Sequence, residues 1–188
     1  MTKHVLAGSP VVFTIGHSVR GIEDLTNILT GYEVKKVVDV RTVPRSAHNP
    51  QFNKETLPHD LSGAGISYLH MPGLGGLRHP LKDSLNAGWR NASFRGFADY
   101  MQSKEFRENI DKLIDIAEME RIVLMCAESV PWRCHRSLIA DALQVQGIQV
   151  KHIMGLKSCN DHMLTLWIKV RGAQITYPAV KAISKGPK

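Results

Sequence analysis

Five short runs rich in Val and Ile, separated by stretches with helical spacing, constrain this chain more than any other feature. The runs are Pro10 to Ile15, Lys36 to Val40, Ile66 to His70, Ile122 to Met125 and Ile148 to Ile153. Ile22, Leu25, Ile28 and Leu29 fall at helical intervals after the first run, and Gly31 closes them. Residues 54–62 are a short helix candidate. Phe94, Phe97, Ala98 and Met101 mark another with Ser93 as its expected N-cap, and Phe106, Ile110, Leu113, Ile114 and Ala117 a further one. A last helix is expected from Cys134 to Gln146, with Gly147 just past its end. Short strands alternating with helices predict an α/β domain: a mainly parallel open sheet of about five strands, with helices on both faces. We expect a single domain over 1–188, with its core at about 11–155 and a C-terminal extension at 156–188.

In such sheets ligands bind outside the carboxyl ends of the strands. The expected strand ends read Gly16-His17-Ser18, Asp39 with Arg41, His70, Cys126 with Glu128, and His152. Titratable groups thus collect at one edge while the strand bodies stay apolar. The densest chemistry lies in Met125-Cys126-Ala127-Glu128-Ser129-Val130-Pro131-Trp132-Arg133-Cys134-His135-Arg136-Ser137. Two thiols, two guanidiniums, an imidazole and a carboxylate there suit a strand-to-helix turn, whose free N–H groups and dipole favour anions. A thiolate is the reactive form of cysteine, and a helix N-terminus with neighbouring cations lowers a thiol pKa. With Arg133, His135 and Arg136 beside it, Cys134 is expected at the N-cap or first helical position, partly open to solvent and the most reactive thiol. The bland alternative for Cys126 is a small buried hydrophobe.

Arg41 and Arg136 are the arginines best placed to grip an anion. Arg136 sits in a first helical turn, where its charge calls for an anion or for a carboxylate such as Asp39 or Glu128. Gly73-Leu74-Gly75-Gly76-Leu77-Arg78 resembles a phosphate-cradling loop but fits neither a P-loop nor a dinucleotide fingerprint. Trp89 and Trp132 can stack a ring or cap the core. His17, His70, His135 and His152 can join the cysteines as metal ligands, although no pair has the spacing of a zinc motif.

A net charge of +7 admits a nucleic-acid partner or an acidic small substrate, and the charges are scattered rather than gathered in one run. No stretch approaches the ~18 consecutive apolar residues of a membrane span, and Met1 to Pro10 lack a secretory apolar core. Three cysteines do not suggest a disulfide framework, so a reducing cytoplasm is the expected setting.

Val37-Val38-Asp39-Val40-Arg41 resembles the Asp-Val-Arg run of rhodanese-like domains, which implies sulfur transfer through Cys126. Here the loop from Cys126 to Arg136 is longer than that cradle and lacks its usual glycine. A broader set of motifs resembles the domain-of-unknown-function family 488. They are Thr14-Ile15-Gly16-His17-Ser18, Asp39-Val40-Arg41 followed by Pro44 and Ser46, and Leu74-Gly75-Gly76 with Arg78. Phe97-Ala98-Asp99-Tyr100-Met101 and Met125-Cys126-Ala127-Glu128 leading to Cys134-His135-Arg136 complete them, with Leu164-Thr165 and Tyr177-Pro178 further on. The resemblance implies a small cytoplasmic α/β protein and supplies no reaction. Gly21 departs from it, where relatives often carry a better helix-capping residue.

The leading expectation is a thiol-dependent enzyme, a transferase or hydrolase, acting on an anionic, phosphate- or nucleotide-like substrate. Cys126 or Cys134 would be the nucleophile, with His17 or His135 as acid and base and Glu128 in support. Gly16, Ser18, Asp39, Arg41, Arg78 and Arg136 would hold the substrate. The alternatives are a nucleic-acid-binding module with structural cysteines and a Cys/His metal site. The sequence identifies no cofactor and no oligomeric state.

Overall fold

The computed structural model describes residues 10–179; Met1 to Ser9 and the end of the expected C-terminal extension lie outside the described residues. Its main sheet has six strands in the order β3-β2-β4-β1-β5-β6. β1 (Val11–Gly16), β2 (Lys36–Asp39), β3 (Ser67–His70), β4 (Ile122–Cys126) and β5 (Gln149–Gly155) are parallel, and β6 (Ser158–Asp161) runs antiparallel at the edge. The single α/β domain is the one expected, with β6 as an additional strand. Every residue of β4 is buried, as a strand covered on both faces requires.

Alternation along the strands assigns the two faces. Phe13, Ile15, Val37, Val123 and Met125 pack with α1 (Ile22–Gly31) and α2 (Leu57–Gly63). Val12, Val38, Leu124 and Cys126 pack with α3 (Ala92–Tyr100), α4 (Lys104–Met119) and α5 (Arg136–Val145). The helix ends follow local chemistry. Asn91, not Ser93, caps α3, accepting from the N–H groups of Ser93 and Phe94. Gly21 caps α1 with no side-chain bond, and Gly147 takes a φ of +82° just after α5, as a glycine past a helix end can.

β1 and β4 are neighbours, yet the chain leaves β1 towards β2 through α1 and leaves β4 towards β5 through α5, on the opposite face. Their carboxyl ends therefore form a switch point where the outgoing connections part. Register sets Gly16 beside Cys126 and Asp39 beside Met125, which places the loops after β1, β2 and β4 at one level.

Part of the stretch after β5 completes the core. β7 (Lys169–Arg171) and β8 (Gln174–Thr176) form a small antiparallel ribbon, and Ile175 and Tyr177 are buried against α3–α5. Their anchor is Asp141 of α5, wholly buried. Its carboxylate accepts hydrogen bonds from the Thr165 N–H (3.0 Å), the Thr165 hydroxyl (2.8 Å), the Tyr177 hydroxyl (2.8 Å) and His162 Nε2 (2.9 Å). The chain of bonds continues from His162 Nδ1 to His152 Nε2 (3.0 Å) and from His152 Nδ1 to the Thr14 hydroxyl (2.7 Å). Because Asp141 only accepts, the ring protons are assigned in order: His162 donates to Asp141, His152 to His162, and Thr14 to His152.

Burial, followed by the fields of His162 and Arg136, lowers the His152 pKa to about 4, and burial also lowers His17. Both imidazoles are therefore neutral in the fold and take protons more readily when the chain unfolds. The stability they contribute is present above the ordinary value of 6.5 and is lost as pH falls from there towards about 4. Melting temperatures measured from pH 7 to pH 4.5 (roughly the window of this linkage) should fall, and His152→Gln should flatten the dependence.

Candidate metal centre

Cys126 ends β4 on the α3–α5 face, and its side chain meets Cys134 and His135, which arrive on the far side of the 127–135 loop. A 3-10 turn over Pro131–Arg133 returns the chain so that Cys134 N–H bonds to Pro131 O at 3.0 Å. The N-cap of α5 is His135, not Cys134, and Cys134 is buried rather than open to solvent. The sulfurs of Cys126 and Cys134 and a ring nitrogen of His135 all lie within 4.8 Å of one another. This buried cluster can coordinate a metal ion.

The imidazole has a fixed orientation. His135 Nε2 lies 3.1 Å from the carbonyl oxygen of Val40, which can only accept, so Nε2 carries the proton. The Nδ1 lone pair then faces Cys134 Sγ at 3.7 Å. A histidine ligand steered through its second nitrogen by a carbonyl is the usual support of a metal centre. The Gly-rich loop serves the same ring. A Cβ on Gly76 would overlap His135 Nδ1, and one on Gly75 would crowd Thr42. Thus the loop read as a phosphate cradle closes on an imidazole.

Arg78 belongs to that loop's scaffold: its guanidinium lies 3.6 Å over the Tyr100 ring and donates to Gly75 O. It is not among the residues lining the cavity next to the cluster. Gly76→Ala should cut metal affinity at least tenfold, the scale of a displaced supporting contact, with little change in helix content. Metal-competition titration beside circular dichroism checks this.

The two thiols are unlike. The Cys134 hydrogen bond and the charge of Arg136 lower the Cys126 pKa against the opposing effect of burial. Cys134 is pushed well above the ordinary thiol range by the Cys126 thiolate and by burial. The expectation that Cys134 is partly open to solvent is corrected by its burial.

Arg136 stands behind the cluster, 1% exposed. It has neither Asp39 nor Glu128 carboxylate as partner. It donates instead to the backbone carbonyl of Glu128 and, at 2.8 Å, to that of Ser129, tying the loop to α5. Its Nε has no hydrogen-bond partner. Asp39 pairs with Arg41, whose Nη2 lies 2.6 Å from Oδ2 and whose Nε lies 2.9 Å from Oδ1. Arg41 Nη1 donates to His17 Nε2 at 3.2 Å, and His17 Nδ1 donates to Ser18 O at 2.9 Å. Both nitrogens of His17 are thereby engaged. A Cβ on Gly16 would overlap the carbonyl of Glu128, so the ends of β1 and β4 meet only at a glycine.

Cys126, Cys134 and His135 line a cavity of about 400 Å³, together with Arg41, Arg133 and Glu128. His17 and Ser18 line an adjoining hollow that shares Arg41 and Glu128. The structure thus brings Cys126, Cys134, His135, Arg41 and Glu128 to one cavity, with Arg136 and Asp39 behind it. From the sequence alone Asp141 and His162 receive no role, and Thr165 and Tyr177 stand only within family-like motifs; the signal for Asp141 is a carboxylate inside the apolar run Leu138-Ile139-Ala140-Asp141-Ala142-Leu143.

Fold and site together define a mostly parallel α/β domain with a Cys/Cys/His cluster at the switch point of its sheet. The family described as Domain of unknown function DUF488 matches residues 21–143, and the chain belongs to it. The matched span holds the whole cluster and begins after Gly16-His17-Ser18. Comparisons with curated proteins and with solved structures found no match.

Proposed function

We propose that the protein binds a zinc-class transition metal through Cys126 Sγ, Cys134 Sγ and His135 Nδ1. The observation carrying this reading is the fixed orientation of His135, whose free nitrogen is turned by Val40 O towards two sulfurs that lie within 4.8 Å of it and of each other. Thiolate and imidazole donors suit zinc and its softer neighbours. Three protein donors beside a cavity match a site that keeps one position open, as catalytic rather than purely structural zinc sites do. Exposed Arg133 at that cavity favours an anionic substrate. Three free cysteines among the described residues fit a reducing compartment such as the cytoplasm, and no described helix is long and apolar enough to cross a membrane.

Purified full-length protein should carry close to one equivalent of metal, and a strong chelator should lower its melting temperature, because binding energy is folding energy. Metal-free protein with unchanged stability would overturn the proposal. The low Cys126 pKa supports a second reading, in which this thiolate is the nucleophile of a metal-free enzyme. Then Cys126 alkylates ahead of Cys159, and added zinc gives no protection.

A further inference from the structure

The chain has three tryptophans, and all three line one further cavity, of about 460 Å³. Trp89 comes from the connection before α3, Trp132 from the turn between β4 and α5, and Trp167 from the stretch after β6. Trp89 and Trp167 also pack against the α3–α5 core, so the tryptophan that the core leaves over is Trp132. Trp89 and Trp167 pack edge to face, with centroids 5.3 Å apart, and Trp89 also meets Phe94 and Tyr177. Those two rings are fixed. Trp132 stands at the rim, 66% exposed, near Leu166 and Met163, which are also exposed. An indole left largely in water beside a concavity forgoes most of the burial for which its size suits it.

The remaining walls define what fits. Asn160 supplies an amide donor and acceptor; Ser137, whose hydroxyl donates to Cys134 O, supplies an acceptor, and the Asp161 carboxylate is paired with Lys151 at 3.2 Å. His152 and His162 form part of the lining, but each already uses both ring nitrogens in the chain from Thr14 to Asp141, so neither offers a free base. The cavity is therefore built for recognition rather than proton transfer. Aromatic walls with an amide at the edge suit a flat ring that has hydrogen-bonding groups on its perimeter; an aliphatic ligand would leave the polar edge unused. A single turn also joins this cavity to the metal centre: Pro131 and Trp132 line the first, and Arg133 and Cys134 line the second.

We propose that this cavity is a stacking subsite for a planar nitrogen heterocycle of the nucleobase class, with Trp132 as the platform. A phosphate carried by the same ligand is drawn to Arg133, away from Asp161. The subsite stands whether or not the metal proposal does, because no metal ligand forms part of it.

The test uses the full chain, adenosine monophosphate, and ribose 5-phosphate as the same anion without the base. Adenosine monophosphate should quench tryptophan fluorescence saturably, and ribose 5-phosphate should not. By calorimetry Trp132→Ala should weaken adenosine monophosphate binding at least about tenfold, the scale of a lost base-stacking contact. Trp132→Phe, which keeps a stacking face, should restore most of the affinity. Metal content should not change in either variant. No saturable response, an equal response to ribose 5-phosphate, or undiminished binding by Trp132→Ala would each overturn the subsite. Parent protein that binds adenosine monophosphate but carries no metal would instead count against the metal centre alone.

Discussion

Replacing Asp141 with alanine should lower the unfolding free energy by about 3–5 kcal/mol, the range for removing one member of a buried, hydrogen-bonded charged group. The carboxylate accepts from His162, twice from Thr165 and from Tyr177, and it is wholly buried. Alanine leaves the buried His162 and Tyr177 donors without an acceptor, and it adds a cavity. Because Thr165 and Tyr177 belong to the stretch that covers α3–α5, the loss should also loosen the wall that holds Trp167. Asp141→Asn should cost less, since it keeps the volume and one acceptor oxygen, while its amide hydrogens face groups that also donate. Denaturant unfolding measures both variants. A change under about 1 kcal/mol for Asp141→Ala, the net worth of a single ordinary hydrogen bond, would mean that the network does not anchor the segment.

Arg136→Ala should destabilise by about 2–4 kcal/mol, combining lost hydrogen bonds to two carbonyls with the cavity left by a buried side chain. Here the effect reaches the site as well as the fold. Arg136 ties Glu128 and Ser129 to the start of α5, and its charge helps hold the Cys126 thiolate. The variant should therefore show a raised Cys126 pKa, read from the pH dependence of its alkylation in metal-free protein. Arg136→Lys should recover little of the stability, because an ammonium does not reproduce the guanidinium fork that spans two carbonyls. Equal stability of the alanine variant and the parent would contradict this role.

How much of this was legible in the sequence depends on the range of the interactions. The strands and helices are written in local periodicity, and the parallel sheet follows from their alternation, so Cys126, Asp39, Arg41 and the 127–136 loop could be placed at one edge in advance. The edge strand β6 carries too short and polar a run, Ser158-Cys159-Asn160-Asp161, to announce itself. Burial was the larger gap. Cys134, surrounded by charged neighbours in the sequence, looks exposed; in the fold the 3-10 turn rotates it inward against Cys126. Arg136 appeared to need an acid because helix-dipole reasoning sees only its own helix, whereas two backbone carbonyls from the preceding loop take its hydrogens. The Asp141 network joins residues 21, 24 and 36 positions away from Asp141, and no local pattern encodes such partners.

The central claim is that Cys126, Cys134 and His135 form one metal centre. The most direct measurement is a cobalt(II) titration of metal-free, full-length protein, followed by absorption. The account predicts a one-to-one endpoint, a thiolate-to-cobalt charge-transfer band and the strong visible bands of a four-coordinate ion. Cys126→Ser and Cys134→Ser should each reduce the charge-transfer band, and His135→Ala should shift the visible bands while leaving that band in place. A spectrum of weak, octahedral-type bands unaffected by either cysteine substitution would contradict the account.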